Sequence, residues 1–114
     1  MQKHKVVLVP FPFDDLSLTK VRPAVCLTDT IGVHRHIVLA FITSRVVTHP
    51  FATDILIDSS SRDFSSTGLR VSSTLQLHRL ITVTSSLIQR ELGILPPRLQ
   101  HEVNIGLRKL LDLK

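Results

Sequence analysis

Apolar and polar positions change rhythm twice along this chain. Residues 5–11, KVVLVPF, are β-branched and aromatic, and Pro10 and Pro12 limit ladder pairing, so a strand ending in a loop is expected there. Residues 13–20 are polar around Asp14, Asp15, Ser17 and Thr19 and read as a flexible connection over one face of a sheet. A second strand is expected from Arg22 or Pro23 and a third over residues 36–43, joined through a turn with Ile31, Gly32 and Val33 that suits antiparallel pairing. Residues 54–58 alternate well enough for another strand, and residues 59–68 form a serine-rich loop open to motion. One or two further strands are expected over residues 69–83, with Val71, Leu75, Leu77, Ile81 and Val83 mostly on one alternation.

The last third moves to a helical period. Ser85 is placed to cap a short helix that reaches Leu92 and stops at Gly93, and Pro96 and Pro97 open a longer one. Leu99, Val103, Leu107, Leu110 and Leu111 recur at three and four residues and give that helix an apolar stripe. Several short strands followed by helices define an α+β order, a small antiparallel barrel or half-open sheet with helical cover, in one domain over residues 1–114. No internal repeat and no linker interrupts it.

Composition narrows the function classes. A chain of 114 residues buries roughly two thirds of its unfolded surface, so it requires neither disulfide nor metal for stability. Hydrophobic content of 43% excludes a disordered tail, and a net charge of +5 with arginine as the main cation favours a polyanionic partner, since the planar guanidinium suits phosphate. The single cysteine, Cys26, sits in an apolar run and reads as a small buried side chain. The N-terminal apolar run is short and proline-broken and lacks the features of a signal peptide, and no stretch approaches the ~20 apolar residues of a membrane span, so a cytoplasmic protein with no membrane association is expected.

Several constellations are weighed against plain structural roles. His34 and His36 are spaced to point the same way from a strand, but no further metal ligands can be nominated, so no metal site is assigned. Neither a nucleophile elbow nor a glycine-rich phosphate loop occurs. Asp14 and Asp15 read as solvated loop neighbours. The informative pair is Arg22 and Thr43, at the start of strand two and the end of strand three: antiparallel pairing through the Ile31 turn brings both to one edge of the sheet. Pro23 stiffens the backbone behind Arg22. Two readings of that arginine stay open, a solvated strand tip or a guanidinium held at the lip of a groove.

The stretches VVLVPFPFDDLSLTKVRPAVCL and IVLAFITS, followed by TGLRVSSTLQLHRLITV and ELGILPPRLQHEVNIGLRKLLDL, resemble the MazF/PemK family of toxin components from bacterial toxin–antitoxin pairs across nearly the whole chain. The resemblance implies an SH3-like antiparallel β-barrel with a C-terminal helix, the fold shared by MazF-like and CcdB-like plasmid maintenance toxins. It also implies a homodimer, and metal-independent, sequence-selective endoribonuclease activity on single-stranded RNA, with no cofactor and a cognate antitoxin as inhibitor. In the family, an arginine at the R-P step and a threonine in the I-T-S strand serve catalysis, and they fall on Arg22 and Thr43. Lys20, Ser44, Ser73, His78 and Arg79 are the expected substrate contacts, and RNA selectivity is expected to rest on residues 13–20 and 59–68.

The chain departs from the family pattern in two places. His4 and Lys5 stand where many relatives have Gly-Asp, and Ile81 stands where they often carry an arginine; His78 is then a candidate proton-transfer group near neutral pH. An alternative is a non-catalytic toxin of the same fold that binds a protein target such as DNA gyrase. In that sister group the terminal residues carry target binding, whereas LLDLK here reads as the end of a packed helix. A plain RNA-binding module is disfavoured by the absence of Trp and Tyr for base stacking.

Overall fold

The computed structural model of the protein describes residues 1–10 and 20–114. The loop expected over residues 13–20, apart from Lys20, lies outside them, as do Phe11, Asp14 and Asp15. Six strands, β1 (Lys5–Pro10), β2 (Val21–Cys26), β3 (His36–Thr43), β4 (Asp54–Ile57), β5 (Ser73–Thr84) and β6 (Arg90–Ile94), form one sheet in the order β4-β5-β3-β2-β1-β6. Every pairing is antiparallel, and the sheet curls into a half-barrel with one helix, α1 (Pro97–Leu110), at its C-terminal end.

Both faces of the central strands are apolar, which is why β1, β2 and β3 read as near-continuous hydrophobic runs. Val6, Val25, Ala40 and Ile42 join Ile55, Ile57, Leu75 and Leu77 in a first cluster, closed by Leu95, Leu99 and Val103 around α1. Val7, Val9, Ala24, Cys26, Ile37, Leu39 and Phe41 form a second, with Val83 and the partly buried Met1, Ile81 and Ile88. The burial that closes the second cluster raises the Cys26 thiol pKa to about 11, keeping it protonated and inert at neutral pH.

The expected helix from Ser85 to Leu92 is corrected. Only Ser85–Leu87 make a 3₁₀ turn, after which Arg90–Ile94 pair as β6 along the open edge of β1, with Lys5 bonded to Glu91 at 2.6 Å. Ser85 and Gly93 carry local helix signals, but the unpaired N–H and C=O groups of β1 offer more than one isolated helical turn can. Gly93 is not a helix stop. A Cβ there would collide with the Ser66 carbonyl, and one at Gly68, whose φ is 72°, would collide with that of Leu92. Those two glycines let the 3₁₀ turn Phe64–Thr67 lie directly on β6.

The serine-rich segment is consequently tied down. Ser59 donates its N–H to Ser72 Oγ at 2.9 Å, Ser66 donates to the Ile94 carbonyl at 3.2 Å, and Arg98 of α1 reaches Asp63 at 3.1 Å. The helical stripe is corrected at its end: Leu99 and Val103 are buried and Leu107 and Leu110 half-buried, but Leu111 lies past the last turn and is 53% exposed. Gly106, absent from the stripe, is buried where Leu77 presses on the helix.

β5 also departs from a single alternation. Ala40 of β3 faces Leu80 while Phe41 faces Gln76, so Leu77, His78 and Arg79 have no counterparts on β3. This bulge turns the strand over: Leu75 and Leu77 belong to the first cluster, Ile81 and Val83 pack on the second, and Val71 is exposed.

Candidate active site

Arg22 and Thr43 meet because β2 and β3 keep one register. Ala24 faces Phe41 and Cys26 faces Leu39; continued towards the turn-distal end, the same register sets Arg22 against Thr43. On its other side Arg22 faces Val9 of β1, so its backbone is held in the sheet while its side chain stands on the face of the second cluster. Pro23 carries no N–H, and the β2–β3 ladder stops one residue later, at Ala24. Where that ladder stops, a pocket of about 290 Å³ opens, lined by Arg22, Phe41, Ile42, Thr43, Ser44, Arg45 and Arg79.

Each wall has a local cause. Thr43 pairs with Thr74, whose buried hydroxyl donates to the Arg45 carbonyl at 2.8 Å and pins the chain where it leaves β3. That bond places Ser44 and Arg45 over the pocket. Arg79 arrives from the opposite side through the β5 bulge, a device that re-aims side chains next to functional sites. Among the described residues the lining carries three guanidinium side chains and no carboxylate, which concentrates positive potential on two hydroxyls, those of Thr43 and Ser44.

Four of the sequence-predicted residues therefore come together: Arg22, Thr43, Ser44 and Arg79. Lys20 lies exposed just before β2 and is not among the lining residues. Ser73 is not brought to the pocket either; it is 2% exposed and its hydroxyl donates to the Val71 carbonyl at 2.9 Å. His78 stands on the bulge beside Arg79 with its ring turned towards Phe51 and Asp54. Ile81, named above as a departure from the family pattern, faces Leu39 and packs on the second cluster. Arg45 was missed by sequence reasoning, although its position directly after I-T-S, at a strand end, was a usable signal. Among the described residues no group of three metal-ligating side chains gathers, and no helix is long and apolar enough to cross a membrane.

A curled antiparallel half-barrel with one C-terminal helix and a basic pocket at a strand end defines a small toxin-like α+β class. The chain belongs to the family described as PemK-like, MazF-like toxin of type II toxin-antitoxin system, whose model matches residues 2–111. Solved structures agree on the fold. An endoribonuclease in complex with its cognate antitoxin from a Mycobacterial species aligns at TM-score 0.72 and 13% identity, covering 100% of this chain and 97% of that one. Mycobacterium tuberculosis toxin MazF-mt6 aligns at 0.71 and 20% identity, covering 96% of this chain and 98% of its own. The MazE-MazF structure of Deinococcus radiodurans aligns at 0.71 and 19%, covering 100% and 98%. A comparison with curated proteins gives no significant match.

Proposed function

We propose that this toxin-family chain is an endoribonuclease that cuts single-stranded RNA, without a metal, at the Arg22–Thr43 pocket. The supporting observation is the convergence of Arg22, Thr43, Ser44, Arg45 and Arg79 around one cavity of phosphate-attracting character. In such a reaction the ribose 2′-hydroxyl attacks the adjacent phosphorus, and charge gathers on the two non-bridging oxygens. Arg22 and Arg79 would hold that charge in charge-assisted hydrogen bonds, while the hydroxyls of Thr43 and Ser44 donate to the phosphate or orient the attacking group. Lys20 and Arg45 would meet the flanking phosphates. Ser73, with its hydroxyl committed elsewhere, is left out of the contacts.

The same reading makes the protein a one-domain cytoplasmic homodimer held in check by an antitoxin whose acidic segment covers the basic pocket. It is tested by incubating purified protein with a long RNA in EDTA: defined cuts are expected from the unaltered protein and none from Arg22→Ala. Equal backgrounds from the two proteins would sink it. A second reading, binding of a protein target through the C-terminus, is favoured by Leu111 and Leu113, which are 53% and 59% exposed instead of ending a packed helix. Deleting residues 111–114 separates the two, because the nuclease reading leaves RNA cleavage intact.

A further inference from the structure

Among the described residues a single phenylalanine ring stands in solvent. Phe41 is buried in the second cluster and Phe64 packs half-buried on the first, whereas Phe51 is 63% exposed. Water disfavours an open ring, yet this one is held in place. The Asp54 N–H donates to the Phe51 carbonyl at 3.0 Å, and Asp54 Oδ2, on a side chain only 2% exposed, accepts the Phe51 N–H at 2.9 Å. Pro50 stiffens the chain directly before it. The His78 ring meets Phe51 at a right angle with centroids 5.1 Å apart. Whichever of the two presents its edge, that contact leaves a face of Phe51 uncovered, in keeping with its exposure.

The register sets this ring on the pocket's side of the sheet. Phe41, in the pocket wall on β3, faces Gln76 of β5, and Gln76 faces Asp54 of β4. Residues directly opposite in antiparallel strands share a face, and neighbouring strands lie about 4.8 Å apart, so the Asp54 backbone that holds Phe51 is about 10 Å from that of Phe41. The connecting segment leaves β3 through Ser44 and Arg45 of the pocket lining, with the Arg45 carbonyl tied to Thr74, and comes back to the sheet at Phe51 and Asp54. Guanidinium groups at the pocket and an open ring two strand spacings away supply both parts of a single-strand site, cations for the phosphates and a platform for a base.

We propose that Phe51 is a base-stacking residue: with a phosphate of single-stranded RNA seated at the Arg22–Thr43 pocket, a nucleobase roughly one or two nucleotides along the strand lies on its open face. This rests on the ribonuclease reading for where the RNA sits. Phe51 touches no reacting atom, so its contribution is to hold and register the strand. It lies in neither of the segments expected to govern RNA selectivity, residues 13–20 and 59–68. Because the side chain is exposed and its backbone is held by Asp54, replacing it leaves the fold and the pocket intact.

The chain has no Trp and no Tyr, so Phe51→Trp gives it a single indole emitter at the proposed contact. A single-stranded RNA carrying 2′-O-methyl riboses throughout has no 2′-hydroxyl to attack and is bound without being cut; it is expected to quench that emission saturably. On cleavable RNA, Phe51→Ala should raise KM about tenfold with kcat within about twofold. Phe51→Leu, apolar but without a ring, should weaken binding as much, and Phe51→Trp should restore it. Replacing single bases of the RNA by abasic sites should reveal one position near the cut where the loss costs the unaltered protein about tenfold and costs Phe51→Ala nothing further. Unquenched emission with the methylated RNA bound, or an unchanged KM in Phe51→Ala and Phe51→Leu, overturns the stacking role and, beside an inactive Arg22→Ala, leaves the nuclease standing. Absence of cleavage by the unaltered protein sinks the nuclease reading, and quenching by the methylated RNA then decides the role of the ring. Loss of self-association in Phe51→Ala by sedimentation, with RNA affinity unchanged, makes Phe51 a protein contact and overturns the proposal.

Discussion

The sheet has a cavity at each end of β3, and the larger is the less persuasive as an active site. The one at the His36 end encloses about 400 Å³ between Met1, His34, Arg35, Thr84, Ser85 and Ser86; the one at the Thr43 end encloses about 290 Å³. The first is built on a turn: Arg35 sits at φ 55°, its carbonyl accepts the Ser85 N–H at 2.8 Å and its Nε reaches Ser85 Oγ at 3.2 Å. Those bonds hold the turn closed and spend part of the guanidinium locally. At the other end three arginines arrive on separate supports, β2, the β5 bulge and the segment leaving β3, and converge beside two hydroxyls. Convergence of chemically matched groups, not volume, is what supports the Thr43 end as the proposed site.

The sharpest break between the two ends is expected in RNA cleavage. Arg22→Ala should cost about a hundredfold, or ~3 kcal/mol of transition-state stabilisation, while Arg35→Ala should stay within about twofold of the unaltered protein. Initial rates on one RNA in EDTA check both, and a collapse of cleavage in Arg35→Ala would move the site to the wrong end. Next in size, Leu77→Ala removes the side chain that seats the bulge against α1 and should lower stability by about 3 kcal/mol in urea unfolding. Its damage should extend to cleavage, since Arg79 rides on the same bulge.

At the turn end, Arg35→Gly should be more stable than Arg35→Ala by about 1 kcal/mol, because a β-carbon is disfavoured at a left-handed φ. Paired melts of the two variants decide it. The smallest effect concerns His4, next to β1, whose pKa is lowered by burial first and by the charge of Lys3 second. Its folded value lies below the unfolded one near 6.5, so the unfolded chain takes up the proton first. The His4 contribution is complete above pH 6.5 and declines as the pH falls through that value towards the folded pKa. The slope of melting temperature over that window should flatten in His4→Gln.

How far the sequence could be read follows the same division. The Arg22–Thr43 encounter was legible because it needs two consecutive strands, a turn and one register, all local properties of residues 22–43. Helix α1 was legible too, since Pro97 opens it and its apolar spacing is regular. The strand at Arg90–Ile94 was not, because Ser85 and Gly93 mimic helix ends and what decides the matter is an edge of β1 far away in sequence. Arg45 and the turning-over of β5 were hidden for a related reason. A register slip between distant strands leaves no periodic trace, so a pattern that places Leu75 and Ile81 on one side cannot see the bulge between them.

The pairing of β6 with β1 also sets an order in time. β1 is made first and its outer edge finds its partner only after β5 and the 3₁₀ turns have been synthesised. During translation the nascent chain therefore carries Arg22 and Thr43 on an incomplete sheet, with α1 still missing from the first cluster. Until β6 and α1 have been made, the strands that carry the pocket therefore stand on a sheet whose β1 edge and first core cluster are both still open.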